Sequence, residues 1–62
     1  MKKFEVFYEN YYSKRVSVFT EAKNEKEAIK NVKDYEGSRQ VKNPNAIEIS
    51  QKEFEQEDRI IV

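Results

Sequence analysis

"VSVFTEAKNEKEAIKNVKDYEG", residues 16–37, decides the fold, because its apolar spacing changes period partway along. Val16, Val18, Thr20 and Ala22 alternate with Ser17, Phe19 and Glu21, the period of two that a half-buried strand requires. From Asn24 onward the spacing is helical, with Ala28, Ile29, Val32 and Tyr35 on one stripe. Asn24 is a good N-cap, and Glu27 three residues later completes a capping-box pair. Gly37, the only glycine, stands just past the last apolar residue, where it adopts a left-handed C-cap cheaply. The stretch therefore predicts a strand running to Ala22, then a helix over about 25–36.

Upstream, "KKFEVFYE" places Phe4, Val6 and Tyr8 on one face and Glu5, Phe7 and Glu9 on the other. The connecting "ENYYS" contains Asn10 and Ser13, both turn formers, so the two alternating runs read as an antiparallel hairpin. Downstream, Asn43-Pro44-Asn45 signals a turn, and "AIEIS" reads as a third strand with Ile47 and Ile49 on its core face. Ser50 and Glu53 stand at capping-box spacing around a single helical turn anchored by Phe54. The closing "RIIV" is short, apolar and β-branched, and is expected to add a fourth strand.

The expected architecture is a single α+β domain over residues 1–62: a small antiparallel sheet, β-β-α-β-β, with one helix on one face. The expected core is Phe4, Val6, Val16, Val18, Ala28, Ile29, Val32, Tyr35, Ile47 and Ile49, with one or two of Phe54, Ile60 and Ile61.

Composition narrows the chemistry. With no cysteine and no histidine, disulfides and Cys/His zinc sites are excluded, and packing alone must hold 62 residues together. There is no Cys or His nucleophile or base and no glycine-rich phosphate loop. Glu25 and Glu27 point apart at their helical spacing, and neither they nor Glu55 and Glu57 have a pocket that so short a chain could wall. The sequence thus predicts a non-enzyme with no cofactor and no metal; "EFEQED" also lacks the ligand spacing and glycine of a calcium loop. No apolar run approaches a membrane span, and the expected location is the cytoplasm.

Twelve basic and twelve acidic residues cancel. Residues 1–35 carry about +2 and residues 36–62 about −2, with Glu53, Glu55, Glu57 and Asp58 forming an acidic stretch that reads as a solvated surface or a partner-facing patch.

Strand parity sends Phe7 and Phe19 to the sheet face opposite the helix, where nothing remains to cover them. With Tyr11 and Tyr12 near the hairpin tip they form an exposed aromatic patch, rimmed by Lys14 and Arg15. Three readings stay open: a cross-strand Phe7–Phe19 pair that only stabilises the hairpin, burial in a homodimer, or a site for another macromolecule. Such a macromolecule is a larger host protein or complex, or, using Lys14 and Arg15, single-stranded nucleic acid.

Val16, Val18, Ala22, Asn24, Glu27, Ala28 and Val32, preceded by the "KKFEVFYE" strand, resemble the DpnD/PcfM-like family of small proteins from phages and conjugative elements, over residues 3 to about 35. The resemblance implies a mobile-element accessory protein and brings no catalytic residues with it. In size and style the chain is also similar to phage-encoded inhibitors of host defence, anti-CRISPR proteins among them.

Overall fold

The computed structural model describes residues 1–62. Its elements are β1 (Lys2–Glu9), β2 (Arg15–Ala22), α1 (Glu25–Glu36), a short 3-10 turn (Ser38–Gln40), β3 (Lys42–Ile49) and α2 (Gln51–Phe54). The three strands form one sheet in the order β2-β1-β3, antiparallel throughout, so the first strand is central. The α+β class and the β-β-α-β order follow the sequence reading.

Helix α1 starts and stops where its caps dictate. The Asn24 side chain accepts from the Glu27 N–H at 2.9 Å, and Glu27 reaches back to the Lys23 N–H at 3.1 Å. At the other end the Gly37 N–H donates to the Lys33 carbonyl, with φ 97 and ψ 133, a backbone region that only glycine enters freely. Ala28 and Val32 are fully buried against the sheet, while Ile29 is half-buried and Tyr35 lies exposed beyond the stripe. Asn31 ties the helix flank to β2 through Thr20 Oγ1 and the Glu21 carbonyl, both at 3.0 Å.

On the helix side of the sheet, Phe4, Val6 and Tyr8 stand opposite Thr20, Val18 and Val16. Tyr8, Ala22, Val41 and Ala46 join the core, and Ile47 and Ile49 do not. The cause is one residue. Alternation from Val41 would carry Ile47 and Ile49 inward, but the β1–β3 register shifts between Phe7 and Glu9, where Asn43 (φ 50) and Pro44 form a bulge. The extra residue reverses parity, so Ala46 faces Val6 beneath the helix and Ile47 faces Glu5 on the other side, 47% exposed.

The second face is not bare. After β3 the chain crosses it: Ser50 caps α2 by accepting from the Glu53 N–H at 3.2 Å, and the helical turn lowers Phe54 onto Phe19, centroids 5.9 Å apart and 18° from parallel. Arg59 lies 4.4 Å above the Phe19 ring, pairs with Glu5 at 2.9 Å and bonds the Ser17 hydroxyl. Ser17 in turn donates to Glu5 at 2.8 Å. The closing residues make a single parallel bridge, Phe19 to Ile61, in place of a full fourth strand: the Phe19 N–H donates to the Ile60 carbonyl at 2.8 Å and the Val62 N–H to the Phe19 carbonyl at 2.9 Å. Only Val62 turns inward, against the core; Ile60 and Ile61 stay exposed. Residues 51–62 thus act as a strap, and Phe19 is its anchorage. Phe54 is buried as expected, but on the face away from the helix.

Candidate functional site at the hairpin tip

Of the six aromatic and basic residues the sequence nominates, the structure separates two from the rest. Phe19 is 1% exposed beneath Phe54 and Arg59, which removes it from any contact surface of the folded chain. Phe7 is half-buried and stands opposite Ser17, not Phe19, so the cross-strand aromatic pair does not form. For a homodimer packed sheet face to sheet face, Phe19 is thereby withdrawn as a contact.

Tyr11, Tyr12, Lys14 and Arg15 remain together at the tip, and local chemistry places them there. Asn10 organises the loop: its Oδ1 accepts from the Tyr12 N–H at 3.0 Å and the Lys14 N–H at 3.1 Å, while its backbone bonds Ser13 and Lys14. Ser13 takes φ 60, the left-handed residue that closes a three-residue hairpin loop. With the backbone satisfied by Asn10, Tyr11 and Tyr12 are turned outward, 69% and 77% exposed, and rest edge-to-face on each other with centroids 5.4 Å apart.

The topology adds residues that the sequence did not nominate. Glu9 stands opposite Arg15 on one side and Lys42 on the other, and Arg15 reaches across β1 to donate to the Asn43 carbonyl of the bulge at 3.2 Å. Helix α1 returns toward this same end, bringing Tyr35 and Glu36 beside Tyr8, and the 3-10 turn that follows carries Arg39. Burial, then the Glu36 carboxylate and the Tyr35 phenol, hold the Tyr8 hydroxyl above the ordinary tyrosine value of 10.0. Lys14, Arg15, Arg39 and Lys42 are all exposed, and none belongs to the three ion pairs of the fold, Lys3–Glu21, Lys30–Asp34 and Arg59–Glu5. Of the carboxylates at this end, Glu9 and Glu36 are half-buried, and Asp34, in the last turn of α1, is exposed and paired with Lys30. Lys42 was legible as a charge but not as a neighbour of the tip, because its placement depends on a long-range strand pairing.

The acidic stretch lies elsewhere. Glu53, Glu55, Glu57 and Asp58 are exposed along the strap, where Ser50 and Gln51 donate to Glu53 and Glu55 at 3.5 and 3.0 Å. Glu48 is not part of that surface, since it pairs with Phe4 on the helix side of the sheet. No group of three or more acidic side chains is placed to hold a metal ion. Two open depressions beside the start of α1 are lined mainly by charged side chains such as Glu25, Lys26 and Lys30. No helix is long and apolar enough to cross a membrane.

Compared with known proteins, the chain matches no family model, no curated protein and no solved structure. The likeness to DpnD/PcfM-like proteins therefore rests on the residues quoted for it, and function has to be argued from the tip.

Proposed function

We propose that this protein is a non-catalytic binding module that occupies a surface on a larger protein or complex through its hairpin tip. The finer reading is an inhibitor carried by a phage or other mobile element, working in the host cytoplasm against a defence or nucleic-acid-processing complex. One observation carries it: two tyrosines, mutually packed and mostly exposed, are held on a loop whose backbone is already fixed by Asn10. Tyrosine offers large contact area with few rotamers to lose, and a loop fixed before binding spares the ordering cost that usually weakens association. Lys14 and Arg15 rim the pair, where charge guides encounter more than it adds affinity.

The test is a challenge assay in a bacterium carrying a defined defence system, with the wild-type chain or Tyr11→Ala/Tyr12→Ala expressed before infection. The wild type should raise phage plating efficiency and the variant should not, at equal soluble level and equal thermal midpoint. A folded variant that protects the phage as well as the wild type removes the tip from the mechanism.

A further inference from the structure

We infer that the anionic partner fitted by the hairpin-tip end is single-stranded nucleic acid, with Tyr11 and Tyr12 stacking on bases while Lys14, Arg15, Arg39 and Lys42 meet phosphates. The inference rests on the tip being the contact surface, as proposed above, and makes what it meets the single strand held by such a nucleic-acid-processing complex, not the complex's protein surface.

The sequence gives a reason against this partner: the chain is neutral, and Glu5, Glu9 and Glu21 lie near the hairpin in sequence. The fold dismantles most of that objection. Glu21 is at the far end of β2, opposite Lys3, with which it pairs at 4.0 Å. Glu5 is committed to Arg59 and Ser17 on the second face. Of those three only Glu9 remains near the tip, flanked in register by Arg15 and Lys42, while α1 brings half-buried Glu36 and the Lys30-paired Asp34 to the same end. The neutral total thus conceals one end with four exposed cations free of ion pairs and another region, the strap, with four exposed acids.

The aromatic geometry completes the match. Single strands are held by rings on which unpaired bases stack, set in a groove or ridge of cations that follows the backbone. A duplex hides its base faces, so the tyrosines would gain nothing from it. An acidic protein surface would satisfy the cations but offers no stack of planar rings to the pair, whose 88° arrangement leaves ring surface outward beside the cations. Adjacent strands lie roughly 5 Å apart, so Arg15 and Lys42 flank Glu9 on its two sides, and Arg15 crosses β1 to the Asn43 carbonyl, which gathers both cations on one side of the sheet end.

The experiment measures anisotropy of a labelled oligothymidylate titrated with the full chain at low salt and then at rising salt. The same sequence as a duplex and poly-L-glutamate, a polyanion without bases, serve as competitors. Binding to the oligothymidylate should fall with salt at a log–log slope of about −3, four phosphate contacts at roughly 0.7 each. Lys14→Gln/Arg15→Gln should shallow that slope by about 1.4. Tyr11→Ala/Tyr12→Ala should weaken binding at least about tenfold with the slope unchanged, the signature of lost stacking. Since the chain has no tryptophan, the tyrosine quenching by the oligonucleotide that Tyr11→Ala/Tyr12→Ala abolishes, beyond any at Tyr8 and Tyr35, reports the stack. No retention at the lowest salt overturns the inference. So does poly-L-glutamate competing as strongly as the single strand, which assigns the surface to an acidic protein. If the oligonucleotide fails while the tyrosine variant still loses protection in the challenge assay, the binding-module reading stands and only the nucleic acid is refuted.

Discussion

Removing Phe54 tests whether the strap is structural. Its ring is buried and stacked on Phe19, so Phe54→Ala deletes the ring that covers the second face. Fully enclosed Phe→Ala changes cost about 3–5 kcal/mol; here the site borders solvent and can fill with water, so the lower end, about 3 kcal/mol, applies. A 62-residue chain has on the order of 3–9 kcal/mol of stability in total, so the loss is a third of it or more. For a domain of this size, about 3 kcal/mol lowers the thermal midpoint by roughly 12–24 °C. The damage should also be local. Without Phe54 the strap keeps the Arg59 network, the packing of Val62 against the core, the Thr20 hydroxyl bond to the Val62 carbonyl at 3.1 Å and two backbone bonds to Phe19. Urea denaturation followed by circular dichroism gives the energy, and native-state hydrogen exchange gives the location. The Phe19 and Val62 amides should exchange much faster in Phe54→Ala, while the Val6 and Val18 amides keep slow exchange. A loss under about 1 kcal/mol, with the Val62 amide protected as in the wild type, refutes the strap as a stabilising element.

Three further outcomes follow from the turns, the cap and the buried phenol. Asn10→Ala removes the one side-chain oxygen that accepts two hydrogen bonds in the hairpin loop and should cost about 1–2 kcal/mol in urea denaturation, leaving α1 helicity intact. Gly37→Ala should cost about 1–3 kcal/mol although nothing lies within 4 Å of the added methyl, because the loss is conformational; Gly37→Ala of unchanged stability contradicts the positive φ. The Tyr8 phenol is raised in the folded chain, so its contribution is complete below the unfolded value near 10.0 and is lost as pH rises above that toward the folded value. Stability should accordingly fall above about pH 10, by up to about 1.4 kcal/mol per unit from this group, and Tyr8→Phe should fall less steeply.

The local signals were fully legible: strand alternation in β1 and β2, the Asn24 cap, Gly37 and the Ser50–Glu53 cap each depend on residues a few positions apart. What the sequence withheld depends on distant partners. The parity of β3 hangs on one bulge residue, and nothing in "KNPNAIEI" by itself says that Asn43–Pro44 is inserted within the strand and not before it. Phe19 read as exposed because its cover comes from residues 54–62, more than thirty positions away. Tyr11, Tyr12, Lys14 and Arg15 were found from their clustering, whereas Arg39 and Lys42 join them only once β3 pairs with β1.

The Asn10-centred turn separates two demands that usually compete during evolution. The backbone of the tip is held by an asparagine side chain, and the tyrosine rings touch chiefly each other, outside the cluster that holds the fold. Most substitutions lower stability, and a small domain has little in reserve before it fails to fold. Positions 11 and 12 stand outside that constraint: their side chains can be exchanged with effects near ±0.5 kcal/mol, the range of ordinary surface changes. A lineage of such chains can therefore diversify what its tip meets, generation after generation, without drawing down the stability that its sheet, helix and strap provide.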